Sequence, residues 1–184
     1  MQLHAKQLEA QTILAGDATH IMLFGGSRSG KTFLLVRNVI YRALKAPKSR
    51  HAVLRFRFNA VKSSVVMDTF PKVMQLAFPG VSYKVNKTDW FAEFDNGSQI
   101  WFAGLDDKER TEKILGMEFA TIYLNECSQI PWGSVGIATT RLAQKATQVI
   151  ENRPDKPLKP RMYYDCNPPS KAHWSYRVFV EKRD

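Results

Sequence analysis

Residues 20–36 read His20-Ile21-Met22-Leu23-Phe24-Gly25-Gly26-Ser27-Arg28-Ser29-Gly30-Lys31-Thr32-Phe33-Leu34-Leu35-Val36. Positions 25–32 satisfy the pattern G-x-x-x-x-G-K-[ST] at every fixed site, and each fixed residue type has its own task. The glycines permit a tight turn in which the backbone N–H groups of Gly25, Gly26, Ser27, Arg28, Ser29 and Gly30 face phosphate oxygens. Lys31 sets a positive charge beside the β- and γ-phosphates, and the Thr32 hydroxyl is a Mg²⁺ ligand. The apolar run before the loop predicts a buried strand, and Phe33 to Val36 predicts the opening of a helix. The N-terminus of such a helix adds partial positive charge beneath the phosphates. Strand, glycine-rich loop and helix together predict a site for a nucleoside triphosphate.

Outward from the loop, Phe33, Val36, Ile40 and Leu44 share one helical face, with Arg37, Arg42 and Lys45 elsewhere on the same helix. Ala46-Pro47-Lys48-Ser49 ends it. Residues 51–58 alternate as a strand should, with Leu54, Phe56 and Phe58 on one side and Val53, Arg55 and Arg57 on the other. Residues 61–78 predict a helix that Pro71 breaks in two. Trp90 to Phe94, a turn at Asp95-Asn96-Gly97, and Gln99 to Phe102 predict a β-hairpin within residues 83–103. A short charged helix is expected over 107–115, a buried strand over 120–124, a helix over 134–144, a proline-rich loop over 152–160 and a strand over 161–166. Strands alternating with helices predict an α/β domain with a mainly parallel central sheet flanked by helices.

A phosphate loop alone does not name a reaction. Thr121-Ile122-Tyr123-Leu124-Asn125-Glu126 is an apolar strand that runs into a carboxylate, and such a strand is expected beside the loop's own strand. There Glu126 would polarise the attacking water. Asn125 stands where an aspartate would touch the Mg²⁺ shell. An amide reaches the metal through a bound water but brings no charge, so either metal affinity is weaker or another carboxylate helps. Met162-Tyr163-Tyr164-Asp165-Cys166-Asn167-Pro168-Pro169 is a second apolar strand, ending in an Asn whose side chain is placed to sense the γ-phosphate.

The chain has 184 residues, 44% of them hydrophobic, enough for one domain with a real core. No apolar run approaches the roughly 20 residues of a membrane span, and the N-terminus lacks a secretion signal. Cys127 and Cys166, the two cysteines, fit no metal spacing and predict reduced thiols in a cytosolic protein. Twenty-seven Lys and Arg against seventeen Asp and Glu give a net charge of +10. That balance points to nucleic acid as partner, or to solvated surface charge alone. The basic residues gather in 42–57 and again in 156–161.

With these residues quoted, the chain resembles the ATPase domain of the large terminase subunit, the genome-packaging motor of tailed bacteriophages. GGSRSGKT, TIYLNECSQI and DCNPP occur in that family's order, and Gly104-Leu105-Asp106 with Lys113 to Gly116 resembles its connector before the acidic strand. The resemblance implies a P-loop NTPase of the additional-strand catalytic-glutamate class and an Mg²⁺-dependent ATPase that translocates double-stranded DNA. It implies that Gln7 recognises adenine, that Lys31, Arg28 and Glu126 serve catalysis, and that Thr32, with Asn125 through water, holds Mg²⁺. Asn167 would couple hydrolysis to DNA movement. Arg28 is either a built-in catalytic arginine or a solvated side chain. Arg110 and Arg141 are candidates for an arginine supplied in trans within a ring of subunits. The portal protein and small terminase subunit are the implied partners, and the bacterial host cytoplasm the implied location. The family's nuclease domain has no counterpart in these 184 residues, so no nuclease activity is expected of them. A helicase or repair ATPase, a kinase and a non-hydrolysing nucleotide switch share parts of this pattern.

Overall fold

The computed structural model describes residues 5–106 and 108–183. The run His20–Phe24 forms strand β1, and Lys31–Lys45 forms helix α2 directly after the phosphate loop. Ahead of them lies helix α1 (Ala5–Ala15). After them come β2 (Arg50–Arg55), α3 (Phe58–Val61), a π-helical stretch (Lys62–Thr69) and α4 (Phe70–Ala77). Strands β3 (Tyr83–Asn86), β4 (Phe91–Phe94) and β5 (Gln99–Gly104) precede α5 (Lys108–Leu115) and β6 (Thr121–Leu124). The chain then forms a 3₁₀ turn (Cys127–Gln129), α6 (Trp132–Thr140), β7 (Thr147–Gln148), β8 (Lys156–Pro157), β9 (Arg161–Cys166) and α7 (Trp174–Phe179).

Seven strands make one sheet in the order β1-β9-β6-β2-β5-β4-β3. Strands β1, β9, β6, β2 and β5 are parallel neighbours, and β4 and β3 continue antiparallel from β5. Every residue of β6 and β9 is buried, as expected of parallel strands covered on both faces. Val53, Tyr123 and Tyr163 face α2 and the 58–77 helical run on one side. Leu54, Ile122, Leu124, Met162 and Tyr164 face α6 and α7 on the other. Full burial of such side chains contributes about 1.5–3 kcal/mol each.

The order corrects one expectation. The acidic strand β6 does not run beside the loop's strand, because β9 lies between them. That inserted strand agrees with the additional-strand class. The hairpin over 83–103 is present, but its last strand pairs parallel with β2, so it extends the main sheet. Strand β2 stops at Arg55, and Phe58 opens a helix instead of continuing the alternation. The Phe58 N–H donates to Asp106 Oδ1 at 2.9 Å, and its backbone crosses so close to Gly104 that a Cβ there would lie 2.1 Å from Phe58 N. Only glycine fits at that crossing.

Pro71 does not split the helical run either. Its missing N–H falls where the backbone has widened to i→i+5 bonds, as in the Phe70 N–H to Val65 carbonyl bond. The buried stripe of α2 is Leu35, Val36, Val39, Ile40 and Ala43, and Phe33 and Leu44 only flank it. Helix α6 spans Trp132–Thr140 instead of 134–144, and the 152–160 loop carries the short strand β8 paired with β7. The charged helix begins at Lys108, and Asp107 lies outside the described residues.

Candidate nucleotide-binding site

Ligands of open parallel sheets sit beyond the carboxyl ends of the strands, and here those ends carry the phosphate loop, Asn125, Glu126 and Asp165. Gly30 closes the loop in the left-handed conformation (φ 83°) and caps α2. A side chain at that φ would be strained, and a Cβ would meet Gln7 Nε2 at 2.5 Å. Gln7 of α1 therefore lies against the loop, and with Lys6, Ala10, Leu23 and Gly26 it lines a cavity of about 190 Å³. The Lys31 ammonium is drawn into the loop, donating to the carbonyls of Gly25 (2.7 Å) and Gly26 (2.9 Å) and to Ser29 Oγ (3.2 Å). Ser27 and Arg28 are exposed. Arg28 holds a positive φ of 61°, a left-handed turn at a non-glycine position of the loop.

Glu126 follows β6 after Asn125 and also adopts a left-handed backbone (φ 48°), the kind of strain that persists where surrounding contacts fix it. Its Oε2 accepts from the Arg55 guanidinium at 2.7 Å. Arg55 ends β2, its NH1 group donates to Ser64 Oγ at 2.9 Å, and its side chain is only 14% exposed. The sequence pattern places Arg55 on one side of an alternating strand and gives it no role. The parallel pairing of Leu54 with Leu124 is what brings it to Glu126.

Asp165 is the second residue to which the sequence pattern gives no role. It is buried at 2% exposure near the end of β9, the strand inserted between the loop's strand and the acidic one. Its Oδ1 accepts from Tyr123 Oη (2.9 Å), Asn125 Nδ2 (3.0 Å) and the Glu126 N–H (3.0 Å). Its Oδ2 accepts from Thr32 Oγ1 at 3.4 Å. One carboxylate thus ties the loop threonine to the Asn125-Glu126 pair. Burial, followed by the nearby Asp165 charge, pushes the Tyr123 phenol well up, so it stays a neutral donor. The signal in the sequence is the Asp two residues before Asn167, readable only once β9 is known to sit in the middle.

Asn167 is exposed, one residue past Cys166, which pairs with Phe24. It therefore stands beside the start of the loop. Arg141 does not join this end. It caps α6, its carbonyl accepts from the Phe119 N–H at 2.8 Å, and Phe119 precedes β6 at the opposite edge of the sheet. The side chain of Arg110 lies outside the described residues. Cys127 and Cys166 are both buried free thiols.

Among the described residues, no cluster of three or more His, Cys, Asp or Glu could hold a metal. The donor set still suits a cation that arrives with phosphates: the Asp165 carboxylate, the Thr32 hydroxyl, and Asn125 Oδ1, a buried acceptor with no partner.

The sequence profile described as phage terminase large subunit matches residues 17–184. No curated protein matches the chain. The large terminase of a thermophilic bacteriophage shares the fold at a TM-score of 0.78 and 18% identity, over 99% of this chain and 43% of that one. The large terminase ATPase domain of Thermus phage P74-26 matches at 0.62 and 14% identity, over 97% and 69%. The N-terminal domain of the bacteriophage phi29 DNA packaging ATPase matches at 0.64 and 19% identity, over 95% and 86%. The chain thus spans less than half of the thermophilic phage's protein, which has also been solved with ADP and with ATP-gamma-S. The chain belongs to the phage terminase large subunit family.

Proposed function

We propose that this chain hydrolyses ATP at the loop Gly25 to Thr32 and that hydrolysis drives double-stranded DNA during phage genome packaging. The observation that carries this reading is the convergence of Lys31, Thr32, Asp165, Asn125 and Glu126 at one edge of the sheet. In this scheme Gln7 borders the base, and the loop N–H groups and Lys31 hold the phosphates. Incoming phosphates take the Lys31 ammonium from the Gly25 and Gly26 carbonyls.

Mg²⁺ would be held by Thr32, with Asp165 and Asn125 Oδ1 reaching it directly or through water. When bound it neutralises charge on the β- and γ-phosphates. Asp165 supplies the carboxylate that Asn125 lacks. Glu126 orients water for attack on the γ-phosphate once its carboxylate exchanges Arg55 for that water. Asn167, beside Gly25, reports loss of the γ-phosphate to the rest of the motor. Arg28 stays a candidate for γ-phosphate contact from within the loop, and Arg110 and Arg141 for contact across a subunit boundary.

The portal protein and the small terminase subunit are the proposed partners, in a ring of this subunit acting in the host cytoplasm. Among the described residues no helix is long and apolar enough to cross a membrane.

Phosphate release at high protein concentration, with and without duplex DNA and Mg²⁺, tests the reading. Turnover that requires both Mg²⁺ and Glu126 is expected. Turnover by Glu126→Ala equal to that of the parent overturns the assignment of Glu126.

A further inference from the structure

The two basic stretches far apart in the sequence meet at the opposite edge of the sheet, where the strands begin. Arg37, Arg42 and Lys45 of α2 face Arg153, Lys156 and Arg161 across a cleft of about 550 Å³ that no Asp or Glu lines. Lys45 lies fourteen residues into α2, about 20 Å from Lys31 at 1.5 Å per residue. The Lys45 end of the cleft therefore lies away from the phosphate loop, while Leu34, near the start of α2, lines both this cleft and the cavity beside Gln7.

Two of these cations are built into its walls. Arg42 is buried, with Nε donating to Thr121 Oγ1 at 2.8 Å and NH2 to the Lys159 carbonyl at 2.5 Å. Arg161 is buried too, donating to the carbonyls of Ala18 and Gly16, and its buried Nε has no partner. Their hydrogen-bond partners are neutral, and Arg161 acts on the Asp17 carboxylate only through space. Among the described residues, no ion pair engages Arg37, Lys45, Arg153 or Lys156. Asp17, the carboxylate near the rim, is paired with Lys159 at 2.5 Å. Burial first, then the neighbouring Arg42, Lys156 and Arg161, bring the Lys45 ammonium down to about 8.

A role limited to the α2 dipole accounts for Arg42 and Lys45 in the last helical turn. It does not account for Arg153 and Lys156, which come from a separate loop and add to the same positive potential. Asn38 and Gln148 add amide groups to the lining. Their amide nitrogens already donate to Tyr163 Oη and the Pro157 carbonyl, so the case rests on the guanidinium and ammonium groups, whose convergence in a lining without carboxylates matches the chemistry of phosphate oxygens.

We propose that this cleft binds phosphate groups of a polyanion at a site separate from the nucleotide loop. Two sources share that chemistry, the backbone of a nucleic acid and a free oligophosphate. The duplex source rests on the reading that this chain acts on DNA.

The test uses the double variant Arg153→Glu/Lys156→Glu, whose parent side chains are both exposed. Saturating ADP occupies the loop, and two probes are titrated separately: a labelled duplex of about 20 base pairs, long enough for several phosphate contacts, and tripolyphosphate. ADP affinity is measured alongside, so a failed nucleotide site is seen separately from a failed cleft. The reference is Lys84→Glu/Lys87→Glu at the far β3 edge, with the same charge change.

We expect the cleft variant to weaken duplex binding about tenfold or more, and the slope of log affinity against log salt to fall by roughly 2 for two lost phosphate contacts. Weakening of both probes supports a general phosphate cleft, of the duplex alone a backbone site, and of tripolyphosphate alone a small-anion site. Unchanged affinity for both, or equal loss in the β3-edge reference, overturns the proposal. If the reversed charges lower the unfolding midpoint, Arg153→Gln/Lys156→Gln repeats the test, and unchanged binding in that variant overturns the proposal.

Discussion

At the carboxyl ends of the parallel strands, charged side chains meet charged or reactive partners: Glu126 meets Arg55, and Asp165 meets Thr32. At the amino ends, Arg42 and Arg161 donate only to hydroxyls and carbonyls, and the nearby Asp17 is paired with Lys159. In the proposed scheme the first arrangement exchanges partners: the carboxylate released from Arg55 would take water and the released Lys31 would take phosphate. The second is fixed. Buried guanidinium groups that satisfy backbone carbonyls act as structure, and their charge is left over as a field. One sheet thus carries a reactive edge and a static positive edge, so substitutions at the two edges should fail in different measurements.

The largest effect is expected for Glu126→Gln. ATP turnover should fall about 10²–10⁴-fold, the usual range for losing a positioned base, with binding of a fluorescent ADP analogue retained. Wild-type turnover in that variant would remove Glu126 from the reactive edge. Arg42→Ala should do the reverse. It removes the guanidinium that donates to buried Thr121 Oγ1 and to the part-buried Lys159 carbonyl, at about 1–3 kcal/mol for a buried group left unsatisfied. Urea unfolding should register that loss, and ADP affinity should not. A stable Arg42→Ala protein would mean that the static edge is not structural.

Asp165→Asn comes next. It keeps the size and a hydrogen-bonding oxygen but deletes the charge. The Mg²⁺-dependent part of ATP affinity should drop about 10–100-fold, as for lost outer-shell metal partners, with affinity in EDTA unchanged. Equal affinity with and without Mg²⁺ in parent and variant would separate Asp165 from the metal.

The smallest effect concerns pH. His51 is buried between Ser49 Oγ and Thr121 Oγ1, and burial, then Arg42, holds its imidazolium well below the ordinary range. Its folded pKa is depressed, so the unfolded chain takes the proton more readily. The contribution of the neutral ring is complete above about pH 6.5 and is lost as pH falls below it, by at most about 1.4 kcal/mol per pH unit. Thermal melts from about pH 7.5 down to about pH 5.5, a window spanning the ordinary imidazole range, should show that slope, reduced in His51→Gln. The same slope in both proteins would assign the pH dependence to other groups.

The loop from Gly25 to Thr32, strands β1 and β9 to their last residues, and the place of Glu126 at a strand end were all legible in the sequence. Each depends on local constraints: apolar runs bounded by turn residues, and glycine where the backbone must be left-handed. Asp165, Arg55 and the basic cleft were not legible. Asp165 acts through the order of strands, which no local pattern encodes, since β9 is the last strand along the chain yet lies second in the sheet. Arg55 reads as one more alternating strand residue until parallel register sets it beside Glu126. Arg42 and Arg161 read as surface charge, because a sequence counts guanidinium groups without showing which carbonyls have claimed them. Local chain geometry and residue chemistry therefore determined the phosphate-loop pattern and the acidic end of β6. The long-range pairing of strands decided which carboxylate lies beside the loop threonine and where the excess positive charge collects.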